Sequence, residues 1–339
     1  MSYPSKSIVI FLFLILTITL AIGCSDAKTP DAGPEPDPLP SWTEGPTRSA
    51  IVEFVRNVNT EGDPNYVPPE ERIATFDNDG TLWCEQPVVQ FAYIIYRIQQ
   101  LAPQHPEWNG TQPFEAALKN DMDFLLNDFM SGGQALPQLF LVTHADMSLS
   151  DFNQAVSEFF AEATHPKYGV PYTQTIYQPM LELLQYLRAN GFKTYICSGG
   201  GIDFMRVMAE DTYGVVPENV IGSNGRNIFK QIDGKWQLMK TADSIFKNDK
   251  EGKPEGIDLH IGRTPIFAAG NVRSGGDIAM LTYCQTNTLP SFQLMINHDD
   301  NEREFAYSEK DNASLNAAKE NRWFVVNMKS DWKQIFSFQ

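Results

Sequence analysis

Five short apolar runs govern what this chain can become: RIATFD (72–77), KTYICS (193–198), PIFAAGN (265–271), FQLMIN (292–297) and WFVVNM (323–328). Runs this short with little polar alternation read as strands covered on both faces, the pattern of a parallel sheet. Helical patterns lie between them. YQPMLELLQYLRANGF brings Met180, Leu181, Leu184 and Leu187 to one face, stops at Gly191 and feeds the strand at Lys193, as an α/β unit should. SLNAAKENR gives a helix before the last run. The order predicts an α/β fold, a doubly wound and mostly parallel sheet.

The first two strands stand far apart. Between them PVVQFAYIIYRIQQLA, PFEAALKNDMDFLLNDFM and SLSDFNQAVSEFFAEA each predict a helix; the last carries Phe152, Ala155, Val156, Phe159, Phe160 and Ala163 on one stripe, with Ser150 as N-cap. Residues 88–172 therefore read as a small helical cap inserted into a core formed by 47–87 and 173–339. At 339 residues, the chain is long enough to bury such a core well.

Upstream of the core the chain is of another kind. From Ile8 to Ile22 it is continuously apolar, fifteen residues long. A membrane span needs roughly 20, whereas this length suits the apolar region of a signal peptide. The run closes Ala21-Ile22-Gly23-Cys24, which resembles a bacterial lipobox with Cys24 as the lipidated residue, so 1–23 is expected to be removed on export. Residues 24–46 are rich in Pro, Asp and Gly and read as an extended tether. The expectation is an exported, periplasmic or outer-membrane-anchored lipoprotein that meets the membrane through that lipid alone.

With a formal charge of −16, the chain has no basic patch for a phosphate backbone, which argues against nucleic acid as a partner. Cys84, Cys197 and Cys284 are widely spaced and odd in number, neither a disulfide framework nor a zinc set. They read as small buried hydrophobes. His105, His144, His165 and His260 show no metal spacing.

The chemistry gathers where strands end. RIATFDNDGTLWCEQP sets Asp77 and Asp79 one residue apart at the carboxyl end of the first strand, with Gly80 and Thr81 allowing a tight turn; that edge is where open α/β sheets bind ligands. Two carboxylates so close repel each other and lose hydration, so a cation must offset them. Asp and Gly are also turn residues, so a simple turn is the alternative to a functional reading of Asp-x-Asp-Gly-Thr taken alone. TYICSGGGIDF ends the second strand in Ser198 and Gly199 within a glycine run, a hydroxyl plus free backbone N–H groups suited to an anion. Lys253 sits in NDKEGKPEGID, with Pro254 placed for a first helical turn, although Lys247 and Lys250 lie close. PIFAAGNVRSGGDIAML ends another strand in Asn271 and brings Asp277 six residues later.

These motifs, in this order, resemble the haloacid dehalogenase superfamily, and within it the phosphoserine-phosphatase branch with a helical cap. TFDNDGTLWCEQP, YQPMLELL, NHDDNEREF and NMKSDW further resemble a group of exported phosphatase-like hydrolases. The resemblance implies an Mg²⁺-dependent phosphatase acting on a small phosphorylated substrate. Asp77 would be the nucleophile and Asp79 the general acid and base. Ser198, Gly199 and Lys253 would hold the phosphoryl group. Mg²⁺ would be held by Asp77, the Asp79 carbonyl and Asn271 or Asp277. The family commonly places its second acid about four residues after the first, so the six-residue spacing here lengthens the loop and also admits a degenerate binding lipoprotein. A phosphotransferase or another hydrolase of the superfamily is the remaining alternative. Glu85 and Gln86 follow the catalytic loop closely enough to face substrate. Trp83 reads as packing between core and cap, and NHDDNEREF either as reaching the site or as a structural ion-pair cluster.

Overall fold

Asp77 ends a four-residue strand with no exposed position, β1 (Ile73–Phe76), and everything around the site is set by that strand's neighbours. The computed structural model describes residues 37–241, 245–273 and 275–339. The apolar run 8–22, the lipobox with Cys24 and the tether as far as residue 36 lie outside them.

Seven further strands follow: β2 (Lys193–Gly201), β3 (Val220–Ser223), β4 (Asn227–Ile232), β5 (Lys235–Lys240), β6 (Phe267–Asn271), β7 (Phe292–Asn297) and β8 (Phe324–Asn327). Six form one sheet in the order β3-β2-β1-β6-β7-β8, and every pair in it is parallel. Alternate side chains leave on opposite faces. Phe76, Ile196, Phe267, Leu294 and Ile296 enter one buried cluster, while Cys197, Ala268 and Met295 enter another behind the sheet. This is the doubly wound α/β fold that the run pattern predicts. Register sets the chemistry level: Phe76 pairs with both Ile196 and Ala269, so Asp77, Cys197-Ser198 and Gly270-Asn271 leave the sheet side by side.

The helices in chain order are α1 (Pro46–Asn59), α2 (Val89–Leu101), α3 (Phe114–Leu118), α4 (Met122–Met130), α5 (Ala135–His144), α6 (Leu149–Glu162), α7 (Gln178–Ala189), α8 (Ile202–Arg206), α9 (Ala209–Tyr213), α10 (Gly252–Ile261), α11 (Ile278–Gln285) and α12 (Ala313–Asn321). α1 and α7 cover one face through Ile51, Val55, Leu183 and Leu187. α10 to α12 cover the other through Ile257, Met280, Leu281 and Ala318. Helices α2 to α5 share a core of their own, built on Ile94, Ile98, Trp108, Phe114 and Leu139.

Several sequence expectations are corrected. Ser148, not Ser150, caps α6: its Oγ accepts from the Asp151 N–H at 3.0 Å, and the helix begins two residues early. The helix expected over PFEAALKNDMDFLLNDFM is two, α3 and α4, because Asn120 adopts φ +55° between them, a conformation that ends a right-handed helix. Residues 38–45, counted with the tether, are packed. Leu39 and Trp42 are fully buried, the Trp42 indole donates to Pro179 O at 2.9 Å, and Ser41 bonds Glu182 through both N and Oγ. Several elements had no counterpart in the sequence reading, among them α1, β3 and the β4-β5 hairpin. The hairpin turns at Asp233 (φ +48°) and Gly234 (φ +78°), the paired left-handed conformation that an Asp-Gly turn favours. Its second strand docks on the start of α6, with Met239 bridging Ser148.

Candidate active site

From the end of β1 the chain turns at once. The carbonyl of Asn78 accepts N–H bonds from Thr81 and Leu82 at 3.2 and 2.8 Å, and Gly80 takes φ +72°. A Cβ at Gly80 would lie 2.8 Å from the Tyr307 hydroxyl and 2.9 Å from Asn271 Nδ2, so only glycine fits. The turn leaves Asp77 and Asp79 together at the sheet edge.

Of the three lysines, Lys253, the second residue of α10, is the one paired with Asp77. Its Nζ lies 2.7 Å from Asp77 Oδ1 and also binds Asp277 Oδ1. The three groups are 2%, 6% and 3% exposed, so this is a buried carboxylate–ammonium–carboxylate set. Burial alone would depress the lysine, but Asp277 and Asp77 hold its pKa above the ordinary value. Asp77 is pushed upward, by burial first and then by the charge of Asp277, against the pull of Lys253. One cation therefore does not fully offset two acids.

The lengthened loop after β6 still returns Asp277 to the site. Its Oδ2 accepts from Asn271 N–H at 2.8 Å. A Cβ at Gly270 would come within 2.4 Å of the Asp277 side chain, so that glycine makes room for the return. With one oxygen on Lys253 and the other on a backbone N–H, Asp277 orients the lysine. Both Asp277 oxygens are thus engaged, and the position beside the Asp79 carbonyl is left to another side chain.

Asn271 takes that position. Its Nδ2 lies 2.6 Å from Asp79 O and 3.3 Å from Asp77 Oδ2, while its buried Oδ1 has no partner. Amide nitrogen and oxygen exchange by a simple flip. Turned over, the orphaned oxygen joins one carboxylate oxygen and one carbonyl, a hard-oxygen set that fits Mg²⁺. Among the described residues no group of three or more His, Cys, Asp or Glu is arranged to hold a metal, so the fit rests on this mixed set. Charge agrees. Asp77, Asp79, Glu85, Asp249 and Asp277 line the cavity against Lys247, Lys253 and Arg273, an excess of two negative charges if all are ionised.

Ser198 is buried, and its Oγ accepts from the Gly200 N–H at 3.0 Å. Asn248 Nδ2 donates to the Ser198 carbonyl at 2.9 Å, and Ser223 Oγ to the Gly199 carbonyl at 2.8 Å. These bonds hold the glycine run open beside Asp77, with Ser198, Gly199 and Gly200 lining a cavity of about 600 Å³.

Glu85 lines the same cavity, but Arg273 pairs with it at 2.8 Å; burial pushes its carboxyl upward while Arg273 pulls it down. Arg273 belongs to the longer loop and was not expected from the sequence. Gln86 is corrected. It is absent from the cavity wall, and its carbonyl faces His165 Nε2 at 2.8 Å. Gln90, on the first turn of α2, lines the cavity and accepts the Gly201 N–H at 3.0 Å.

Trp83 packs against Phe160 of α6 at 6.2 Å between ring centres, as expected of a residue between two layers. Its Nε1 also donates to Asp79 Oδ1 at 2.9 Å, which aims that carboxyl. Burial raises the Asp79 pKa, with the Trp83 bond opposing; an elevated carboxyl suits an acid that must hold a proton near neutrality.

NHDDNEREF braces the loop from behind. His298 Nε2 lies 2.7 Å from Gly80 O, and its Nδ1 lies 3.3 Å from Glu304 Oε2. Glu304 also accepts from Tyr177 Oη at 2.9 Å and Cys84 Sγ at 3.1 Å. Cys84 is no nucleophile: burial, then the Glu304 charge, drives its thiol far up.

A family model for haloacid dehalogenase-like hydrolases matches residues 74–281, over half of the chain. The chain belongs to that family. Its solved relatives are distant. A functionally unknown protein from Anaerococcus prevotii DSM 20548 is 16% identical over 84% of this chain and 94% of its own, with a TM-score of 0.51, and shares the fold. One of unknown function from Bordetella pertussis Tohama I is 14% identical over 76% and 99%, at 0.49. A phosphoserine phosphohydrolase-like protein from Francisella tularensis subsp. tularensis SCHU S4 is 16% identical over 75% and 94%, at 0.39. No curated protein matches the chain in sequence. The matched span runs from β1 into α11 and includes Asp77, Asp79, Ser198, Lys253, Asn271 and Asp277.

Proposed function

We propose that this hydrolase is a Mg²⁺-dependent phosphatase of small phosphate monoesters that works through an aspartyl-phosphate. The observation that carries the reading is the buried Lys253 ammonium on Asp77, at the strand edge where Ser198, Gly199 and Gly200 line the same cavity. An Asp77 oxygen bonds to phosphorus as the ester P–O bond breaks, and Asp79 gives its proton to the departing alkoxide. Water then attacks phosphorus and returns a proton to Asp79, the Asp77–phosphorus bond breaks, and inorganic phosphate leaves. Ser198, Gly199 and Lys253 hold the phosphoryl oxygens throughout. Asp77, the Asp79 carbonyl and Asn271 would hold Mg²⁺, which when bound supplies the positive charge that lets a phosphate approach Asp77. Helices α2 to α6 and the β4-β5 hairpin would serve as the cap. The long loop, which admits a degenerate site on sequence grounds, leaves Asp277 on Lys253, and this supports the catalytic reading over it.

The test is phosphate release from a panel of small esters, with Mg²⁺ and with chelator, by the wild type and by Asp77→Asn. Turnover is expected to need the metal and to fall about a thousandfold or more in the variant. Turnover that survives either change would sink the mechanism.

A further inference from the structure

A second cavity, of about 170 Å³, opens beside the glycine run. Gln90, Phe140, Gly199, Gly200, Ser223 and Ile245 line both it and the cavity at Asp77, so the two are adjoining compartments. One side of its wall is aromatic, while Gln90, Asp203, Ser223, Asn224, Lys240 and Thr241 make another part of it polar. The Phe140 ring stacks on His144 at 3.9 Å with 15° between planes, and His144 lies 5.0 Å from Phe152. Lys240 reaches over Phe152 at 4.4 Å and pairs with Asp203, so its charge is already matched inside the protein. His144 is buried and uncharged near neutrality: burial, then Lys240, lowers its pKa to about 3.

We propose that this compartment receives the leaving group of the substrate, and that the leaving group carries a single six-membered aromatic ring. The inference rests on the phosphatase reading above and adds the substrate class to it. Size supports it, because a benzene ring fills a cavity of about 150 Å³. Chemistry supports it as well. A charged amino-acid leaving group would need an unpaired counter-ion there, whereas Lys240 and Asp203 satisfy each other and His144 stays neutral. The Phe140 side chain, on the wall that both cavities share, is the aromatic surface a flat ring would meet.

The experiment compares benzyl phosphate with ethyl phosphate, whose leaving alcohols differ little in acidity, in the wild type, Phe140→Ala and Phe140→Leu. Wild type is expected to favour the benzyl ester in kcat/KM by about tenfold or more. That ratio should collapse in Phe140→Ala and fall in Phe140→Leu, which keeps the volume but loses the ring face. Hydrolysis of both esters at similar kcat/KM, with a ratio the variants do not move, overturns the subsite while leaving the phosphatase reading intact. If neither ester is hydrolysed, the phosphatase reading fails, and calorimetric binding of benzylphosphonate against ethylphosphonate then decides the subsite. Preferential benzylphosphonate binding, weakened in Phe140→Leu, upholds it, and equal or absent binding ends it.

Discussion

Lys253 is the residue on which the site turns. A buried ammonium between two carboxylates is held by their charges, and removing it leaves both acids buried and unpaired. Losing one partner of a buried ion pair costs about 3–5 kcal/mol, so Lys253→Met should lower the unfolding free energy by that amount, read as a lower urea midpoint at an unchanged slope. Turnover should fall about a thousandfold. Adding Asp277→Asn should return part of the stability but none of the turnover, since Lys253 would still be missing from the phosphoryl group. Equal recovery of both would show that Lys253 acts only through stability. Asp77, Asp79, Ser198 and Lys253 were legible in the sequence because each sits at a strand end or a helix start, where spacing reveals position. Arg273 and the Trp83 bond to Asp79 were not. Both depend on how a loop folds back, and no local period encodes that.

At the scale of elements, the catalytic turn is held from two sides. Trp83 fixes Asp79 from within the turn, and the segment after β7 fixes Gly80 from behind through His298. His298 touches no reacting atom, so it is a positioning residue. His298→Phe should lower kcat about tenfold with little change in KM, and should destabilise by about 1–3 kcal/mol because Glu304 loses a buried partner. His298→Gln, which keeps a donor, should restore part of kcat; equal loss in both variants would mean that the ring's packing matters and the hydrogen bond does not. Five of the six sheet strands were readable because burial on both faces leaves an unbroken apolar run; β3, only four residues long, was not. The hairpin was missed: Asp233-Gly234 is a turn signal, but its half-exposed strands carry no apolar run to flank it. The break at Asn120 left no mark beyond a residue type that tolerates positive φ.

Across the whole molecule, the first and last described segments close on each other. Trp42 bridges Trp332, with ring centres 6.0 Å apart, and the Lys333 N–H bonds the Ser41 carbonyl at 2.8 Å. Trp332 also packs on Tyr177, whose hydroxyl reaches Glu304. Residues 38–45 are thus part of the core that supports the catalytic turn. Trp42→Ala should cost about 3–5 kcal/mol, lowering the melting temperature by roughly 6–20 °C for a domain of this size; a shift under a degree would show that the segment merely rests on the surface. Composition hid this contact, because a Pro- and Asp-rich stretch reads as a tether until a single tryptophan finds its partner some 290 residues away.

That closure has a use at the bench. Because Ser41 and Lys333 are hydrogen-bonded neighbours, a short linker can join the two ends of the fold, and fresh termini can be opened elsewhere on the surface. The Asp233-Gly234 turn is a suitable place to cut, since it lies at the tip of a hairpin away from the central sheet. A circular permutant opened there would carry the catalytic turn and both of its supports in one uninterrupted chain.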